Sequence, residues 1–204
     1  MCTKYDFKNK VALITGSSSG IGAATAILFA KSGAQVVITG RNVNKLDKVC
    51  TECTHVSPNG LKAVPVVADV TKEADLDRLL TTTIDSFGKL DILVNNVGSA
   101  TFSLDMFTKC LAVELGPKRI RVNSVSPGCV YTDAFKNSNL AMTEAEGRAI
   151  WDKIAANYPV GRMGESVDVA NAVAFLASDQ ASFITGTNLL IDGGHIAANI
   201  QIDI

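Results

Sequence analysis

The chain has 204 residues, of which 47% are hydrophobic and 19% are charged, and its formal net charge is −1. This length and apolar content predict a globular domain rather than a disordered segment. The balanced charge favours neither a nucleic-acid partner nor a membrane surface, and no apolar run is long enough for a spanning helix. The first ten residues lack the apolar core of a secretion signal, which favours a cytoplasmic location.

Short apolar runs typical of buried strands alternate with longer helical patterns. Strands are predicted at 11–15, 35–39, 61–68, 90–95, 120–126 and 188–192, and helices at 20–32, 43–55, 71–87, 104–116, after the capping box Thr143–Glu146, and from Ser166 to Ala177. Thr71 is expected to cap the third helix and Gly88 to end it. Pro65 places the third strand at a sheet edge. This alternation predicts a doubly wound, parallel α/β sheet covered on both faces.

Five cysteines at irregular spacing do not form the pattern of a disulfide framework. Cys50 and Cys53 form a CxxC pair, a spacing used in redox and zinc sites. A zinc site would remain incomplete, because the chain has no second CxxC and only two histidines. We therefore favour two thiols packed in a helix, predict no metal site, and take reduced cysteines to indicate an intracellular protein.

A glycine-rich turn directly follows the first predicted strand. Gly16, Gly20 and Gly22 lie in the run TGSSSGIG between a strand and a helix. In that context glycine lets the backbone approach a pyrophosphate, and the helix N-terminus supplies free N–H groups to the anion. A glycine turn that binds no ligand is the alternative.

The end of the second strand distinguishes between the two nicotinamide cofactors. An acidic residue there would bind the 2′-hydroxyl of the adenosine ribose and indicate NAD. This chain instead has Arg41 and Asn42, and a guanidinium suits the 2′-phosphate of NADP. We therefore favour NADP(H) over NAD(H), with Arg41 as a solvated surface charge as the alternative.

The order of these motifs resembles that of the short-chain dehydrogenase/reductase family. Besides TGSSSGIG, the shared segments are Asp69-Val70, Asn95–Gly98, Pro127-Gly128, Gly161–Gly164 and Ser182–Gly194, and together they cover nearly the whole chain. Val97 stands where the family usually has alanine. The resemblance implies one Rossmann-like domain over residues 1–204. It also implies reversible hydride transfer between NADP(H) and a small carbonyl or alcohol substrate.

The resemblance further implies which residues contact the cofactor. The pyrophosphate and its ribose would be bound by Gly16, Ser18, Ser19, Gly20, Ile21 and Gly22. The adenosine ribose would face Arg41 and Asn42, and the adenine would lie between Asp69 and Val70. The nicotinamide side would be bound by Asn95, Gly98, Pro127, Gly128, Val130 and Thr132. Residues 128–165, which include Trp151, resemble the mobile substrate lid of the family.

The catalytic residues of the family are missing from this sequence. The family uses a Ser and a Tyr-x-x-x-Lys, in which the Tyr protonates the carbonyl oxygen and the Lys lowers the Tyr pKa. Four residues after the three tyrosines, Tyr5, Tyr131 and Tyr158, stand Asn9, Phe135 and Arg162. Leu104–Gly116, which in the family follows the Tyr and Lys directly, here follows residues 98–103. We expect an internal deletion of roughly 30–50 residues and a sheet that is one strand short.

The neighbouring residues are poor substitutes for the missing acid. Ser103 is more typical of a helix cap and Lys109 of a solvated helix face. Tyr131 could approach the nicotinamide, but a phenol with a pKa of about 10 is a weak acid without a cation beside it.

The remaining strands could close into a six-stranded sheet of order 3-2-1-4-5-6. The helix at 104–116 has two apolar stripes, which predicts an exposed patch and an altered homo-oligomer.

Three interpretations stay open. The favoured one is an inactive or nearly inactive nucleotide-binding relative, a shortened form of an active NADP(H) oxidoreductase. The second is a working enzyme that uses a substitute acid. The third is a non-enzymatic interaction module, or the partner subunit of an active relative, that pairs through the helix at 104–116.

Overall fold

The structure is a computed structural model and describes residues 5–58, 60–97, 102–132 and 144–198. Within these ranges, eight strands are present: β1 (Val11–Ile14), β2 (Gln35–Gly40), β3 (Val64–Val67), β4 (Ile92–Val94), β5 (Ser124–Pro127), β6 (Val130–Tyr131), β7 (Gly164–Glu165) and β8 (Asn188–Ile191). The helices in the same ranges are α1 (Gly20–Lys31), α2 (Val43–Val56), α3 (Glu73–Phe87), α4 (Phe102–Leu115), α5 (Glu144–Asn157) and α6 (Ser166–Ala177).

The chain divides into two compact units. The first unit contains the described residues up to 97 together with Val173–Phe183, and it therefore holds β1–β4 and α1–α3. The second unit contains the described residues of 102–172 and 184–198, with α4, α5 and β5–β8. Helix α6 begins in the second unit and ends in the first.

Four parallel strands in the order 3-2-1-4 form the sheet of the first unit. Leu13 in β1 is paired with Val37 on one side and with Leu93 on the other. Strand β3 lies at an edge of the sheet, which confirms the position predicted from Pro65. All four residues of β1 are buried, and this burial explains its unbroken apolar run.

The core of the first unit lies on both faces of this sheet, because alternate residues of a strand point to opposite faces. On one face, Ile14 and Ile38 pack in a cluster with Phe29 of α1. On the other face, Leu13 packs in a cluster with Leu79 of α3. The helices therefore cover the sheet on both sides, as the doubly wound fold class predicts.

The second unit contains two small parallel sheets, β5 with β8 and β6 with β7. Side chains reinforce the first pair: Ser126 Oγ donates to Asn188 Oδ1 at 2.9 Å, and Asn123 Nδ2 donates to the Ile184 carbonyl at 3.0 Å. Within each unit the expected strand order is confirmed: 3-2-1-4 in the first unit, and in the second the pairing of the last two predicted strands, here β5 and β8. The described strands form three sheets and not the single six-stranded sheet that was expected, and the short strands β6 and β7 were not predicted.

Three predicted boundaries need correction, and the first is the start of β3, which lies at Val64 and not at residue 61. Thr71 does not cap α3: Lys72 occupies the N-cap position, and the Thr71 hydroxyl donates to Asp69 Oδ1 at 2.8 Å. Strand β5 begins at Ser124, four residues later than predicted, after a 3-10 turn at Gly116–Lys118. Gly88, with φ 74°, ends α3 as predicted. Thr143 of the predicted capping box lies outside the described residues.

Helix α4 carries apolar side chains on its exposed surface. Met106 is 59%, Phe107 58% and Val113 79% exposed, whereas Thr108 and Ala112 are buried. This arrangement confirms the predicted exposed patch, since one face of the helix packs and the other carries large apolar groups.

Among the helices of the described chain, none has the length and apolar character that crossing a membrane requires.

Replacing Ser17 by alanine is expected to lower the free energy of unfolding by about 1–3 kcal/mol. The Ser17 hydroxyl is buried, donates to the Ile14 carbonyl at 2.8 Å and accepts from the Thr39 N–H at 2.9 Å. Urea unfolding of Ser17→Ala measures the loss. Ser19→Ala is the matched control, because the Ser19 side chain makes no capping hydrogen bond. Equal stability of the two variants would contradict this assignment.

Candidate functional site

The candidate site lies where the four strands of the first unit end. Because β1–β4 are parallel, their carboxyl ends share one edge of the sheet. Backbone hydrogen bonds join the residues that follow: Thr15 N–H donates to the Val94 carbonyl at 2.9 Å, and Ser17 N–H donates to the Thr39 carbonyl at 2.8 Å. Open α/β sheets bind their ligands at this edge. We call it the ligand edge.

The glycine turn at the ligand edge requires glycine for two different reasons. Gly16 and Gly20 have φ values of 60° and 58°, which side chains rarely adopt. A Cβ on Gly16 would also lie 2.6 Å from Val97 Cγ2, and one on Gly22 would lie 2.5 Å from the Gly16 carbonyl oxygen. The three glycines predicted from spacing therefore build a turn that no larger residue could form.

The N-terminus of α1 follows this turn and suits an anion. Ser19 occupies the N-cap position without a side-chain hydrogen bond, and the first turn, which includes Ile21, has no acidic residue. The N–H groups of that turn therefore lack a side-chain cap and carry the positive end of the helix dipole. A pyrophosphate fits such a cradle.

Asn96 is a site residue that the sequence analysis missed. Its Nδ2 donates to the carbonyls of Thr15 and Gly16 at 3.1 and 3.2 Å, and its N–H donates to Thr15 Oγ1 at 2.9 Å. These bonds tie the segment after β4 to the glycine turn. The predicted neighbour Asn95 is exposed. Only the Asn-Asn pair itself could have pointed to Asn96. Gly98 lies outside the described residues.

The end of β2 presents an exposed cation. A Cβ on Gly40 would lie 2.7 Å from Ser18 Oγ, so the Ser18 hydroxyl packs against this end of the strand. Asn42 Oδ1 accepts from the Lys45 N–H at 3.0 Å and thereby caps α2. Arg41 is exposed and forms no salt bridge with another described residue. The guanidinium therefore stays available to a ligand.

Asp69 stands at the end of β3 as an ordered carboxylate. Its Oδ1 accepts from the Thr71 N–H at 3.1 Å, and Asp75 Oδ2 accepts from the Asp69 N–H at 2.8 Å. The hydrogen bonds from Thr71, with a smaller contribution from the charge of Arg41, hold the pKa of Asp69 below its usual range. Val70 beside it is half-buried.

Four of the predicted nicotinamide-side residues belong to the second unit: Pro127, Gly128, Val130 and Thr132. Gly128 N–H donates to the Ile191 carbonyl at 3.0 Å, at the end of β8. Val130 is buried and pairs with Gly164, while Thr132 is half-buried. Pro127 closes β5. The structure therefore groups the predicted residues by unit. Residues 127–132 lie together in the second unit, and the glycine turn lies with Arg41 and Asp69 in the first.

A cavity of about 520 Å³ lies within the segment that resembles the substrate lid. Tyr131 and Trp151 line it and pack edge to face, with ring centroids 6.4 Å apart. Arg162 also lines it and is paired with Asp168 at 2.7 Å. The cavity is therefore built from residues of the second unit.

None of the three tyrosines is followed four residues later by a lysine. Tyr5 is buried in the core of the first unit. Tyr131 is about half exposed, and no lysine follows it at the required spacing. Burial raises the pKa of Tyr158 above its usual range, which makes it a weaker acid at neutral pH. Lys109 is exposed, and the Ser103 side chain lies outside the described part of the chain.

The CxxC pair is part of the packing of the first unit. Cys50 and Cys53 both lie in α2 as free thiols, and Cys53 is fully buried. Burial raises the pKa of Cys53 to about 12. Cys50 Sγ donates to the Ala63 carbonyl at 3.2 Å. Among the described residues, no group of three or more His, Cys, Asp and Glu side chains could hold a metal ion.

Together, the parallel sheet of order 3-2-1-4, the glycine turn after β1 and the uncapped start of α1 define a Rossmann-like dinucleotide-binding fold. The family model described as short chain dehydrogenase matches residues 10–103. The model described as Enoyl-(Acyl carrier protein) reductase matches residues 98–195.

Individual relatives agree with these matches. The BbsD subunit of (2S)-[(R)-hydroxy(phenyl)methyl]succinyl-CoA dehydrogenase from Thauera aromatica is 30% identical over 250 residues, covering 92% of this chain and 96% of its own. A Caenorhabditis elegans short-chain dehydrogenase/reductase of unknown function, solved with cofactor, is 30% identical with a TM-score of 0.82, covering 94% and 96%. Gluconobacter frateurii L-sorbose reductase, solved with NADPH and L-sorbose, is 25% identical with a TM-score of 0.80, covering 93% and 97%.

The chain belongs to the short-chain dehydrogenase/reductase family. This result confirms the resemblance found in the sequence and the predicted fold class. Proteins of this family bind nicotinamide dinucleotides, and the cradle at the ligand edge fits the pyrophosphate of such a cofactor.

Thiol labelling of the native chain is expected to modify Cys110 quickly and to leave Cys53 unmodified. Cys110 is exposed, whereas Cys53 is buried and its pKa of about 12 leaves almost no reactive thiolate at neutral pH. Peptide mass spectrometry after N-ethylmaleimide treatment separates the two sites. Cys110→Ser is the control and should remove the fast-labelled peptide. Fast labelling of Cys53 in the folded chain would overturn the packing assignment.

Proposed function

We propose that this chain binds NADP(H) at the ligand edge but is inactive, or nearly so, as an oxidoreductase. The observation that carries the proposal is a glycine turn followed by an uncapped helix start, in a chain without a Tyr-x-x-x-Lys. A bound cofactor would donate a hydride to a carbonyl in its reduced form, or accept one from an alcohol in its oxidised form. The protein itself would contribute binding and orientation but no general acid.

The first unit would bind the adenosine half of the cofactor. Gly16 and residues 18–22 would hold the pyrophosphate through backbone N–H groups and the start of α1. Arg41 would bind the 2′-phosphate beside Asn42, and Asp69 with Val70 would flank the adenine. The free guanidinium supports NADP(H) over NAD(H), because no carboxylate stands at the end of β2 to bind a 2′-hydroxyl.

We extend the proposal to the nicotinamide end of the cofactor. By the family resemblance, Asn95 and Gly98 would lie under the ribose. Pro127, Gly128, Val130 and Thr132 would meet the nicotinamide. Residues 1–204 would then act as one nucleotide-binding domain in which residues 128–165 form the substrate lid, and the cavity beside Trp151 supports that role for the segment.

An internal deletion between β4 and α4 would account for the missing acid. The alignment to the Thauera subunit runs over 250 positions, which 204 residues cannot fill, although it covers nearly all of both chains. The two family models meet at residues 98–103. That junction is also where the sequence pattern of the family is interrupted. These three observations support a deletion that removes one strand and the catalytic segment.

The cost to catalysis follows from the groups that are lost. A general acid typically contributes 10²–10⁴-fold to the rate, and a hydrogen-bond donor to the developing oxyanion a further 10²–10³-fold. Tyr131 remains as a phenol in the lid segment but has no lysine at the required spacing. We therefore expect this chain to bind the cofactor but to reduce a carbonyl substrate hardly at all.

Fluorescence titration of the purified chain with NADPH and NADH, followed by a ketone-reduction assay, tests the proposal. NADPH should bind more tightly than NADH, and turnover should stay at the uncatalysed level. Arg41→Ala should weaken NADPH binding about tenfold or more and leave NADH binding unchanged, because only the 2′-phosphate contact is lost.

The control for this experiment is Lys62→Ala, which removes one exposed positive charge of the first unit away from the ligand edge. It should leave both affinities unchanged. Equal affinity for the two cofactors would contradict the NADP(H) assignment. Enzymatic turnover abolished by Tyr131→Phe would instead favour a working enzyme with a substitute acid.

The exposed side of α4 favours a second candidate, a non-enzymatic module that pairs with another copy or with an active relative. Met106, Phe107 and Val113 are each more than half exposed on this helix. Apolar groups in such an arrangement mark interaction surfaces in many proteins. The altered homo-oligomer expected from the sequence would use this face.

Sedimentation velocity of the chain and of Val113→Lys tests this second candidate. If α4 mediates pairing, the native chain should sediment as an oligomer and the variant as a smaller species, because a charge replaces a buried apolar contact. Lys109→Ala is the control, since it changes an exposed polar residue of the same helix. A monomeric native chain at all concentrations would exclude self-pairing through this face.

A further inference from the structure

Tyr158 occupies the point where two glycine motifs of the second unit meet. Its phenolic oxygen accepts from the Cys129 N–H at 3.1 Å. A Cβ on Gly128 would lie 3.3 Å from that oxygen and 2.9 Å from the Asp192 Cα, so glycine is needed for the close approach. A Cβ on Gly193 would lie 2.9 Å from Tyr158 Cδ1. The ring thus fills the space that both glycines leave.

Burial, a ring contact and backbone hydrogen bonds fix the position of Tyr158. Tyr158 is 4% exposed, and its ring packs against that of His195 with centroids 5.2 Å apart. Its own backbone is bonded on both sides, since its N–H donates to the Ala155 carbonyl at 3.1 Å and its carbonyl accepts from the Gly161 N–H at 2.8 Å. The hydroxyl cannot move without disturbing these contacts.

Hydrogen bonds also fix the backbone that faces the Tyr158 ring, at Asp192 and at Gly128. Asp192 Oδ1 accepts from the Gly194 N–H at 3.0 Å, and Oδ2 accepts from the Ile196 N–H at 2.8 Å. The Gly128 N–H donates to the Ile191 carbonyl at 3.0 Å. The Cys129 N–H is the next donor along the same turn, and Tyr158 supplies its acceptor. Without the hydroxyl, that N–H would lose its partner in a half-buried position.

We propose that Tyr158 is a positioning residue that fixes the turn Pro127–Val130 in the conformation that receives the nicotinamide. The inference rests on the proposed function, in which this turn meets the nicotinamide end of the cofactor. Tyr158 itself acts through the backbone of Cys129. Burial keeps the pKa of the phenol above its usual range, so the hydroxyl stays neutral and available as an acceptor at physiological pH.

Tyr158→Phe keeps the ring and removes only the hydroxyl. The variant should bind NADPH about tenfold more weakly, because the turn no longer starts in its binding conformation. It should bind adenosine 2′,5′-bisphosphate as well as the native chain does, since that probe has no nicotinamide. Tyr5→Phe is the matched control, a buried tyrosine of the first unit, and should change neither affinity.

Hydrogen exchange measured by mass spectrometry gives a second test, first on the native chain and then on Tyr158→Phe. NADPH should slow exchange in peptides that span 127–131, and adenosine 2′,5′-bisphosphate should not. In Tyr158→Phe without ligand, the same peptides should exchange about tenfold faster, while peptides that span β1 should not change. These peptides include the Cys129 N–H, whose acceptor the variant removes.

The outcomes distinguish the two proposals. Equal affinity of Tyr158→Phe and the native chain for NADPH, or equal weakening toward both probes, would overturn the positioning role and leave the proposed function standing. A native chain that binds neither NADPH nor the bisphosphate would overturn the proposed function, and the positioning role with it. A loss confined to NADPH supports both.

Discussion

The arrangement of the first unit depends on how closely three backbone segments approach one another where β1 ends. A Cβ on Gly22 would lie 2.5 Å from the Gly16 carbonyl oxygen and 2.6 Å from Asn96 Nδ2. Only a residue without a side chain permits that contact. Because the contact exists, Asn96 can bind the carbonyls of the turn, and α1 can start directly at the edge of the sheet. The anion cradle is a consequence of this packing.

The sequence was sufficient to predict strands and helices wherever burial was complete. Strand β1 and the centre of β2 are buried on both faces of the sheet, and this burial requires unbroken apolar runs such as VALI. The prediction was less accurate at β5. Its approach, residues 120–123, has an apolar pattern, but Val122 is bonded partly through a side chain: its N–H donates to Thr185 Oγ1 at 3.0 Å, whereas its carbonyl accepts from the Gly186 N–H at 2.7 Å. An apolar pattern does not distinguish such a segment from a paired strand.

Contacts between distant residues were the part that spacing could not predict. The bonds of Asn96 to the glycine turn join residues about 80 positions apart, and Tyr158 meets Cys129 from 29 positions away. A motif records which residues are close along the chain, so it identified the glycines but neither of these partners.

The position of Trp151 has a consequence for how this protein can be observed. It is the only tryptophan in the chain, and it lies in the second unit against Tyr131. Intrinsic tryptophan emission therefore reports the state of that unit. Calorimetry, in contrast, records heat from every residue that unfolds. The two measurements together give the cooperativity between the units, which neither gives alone.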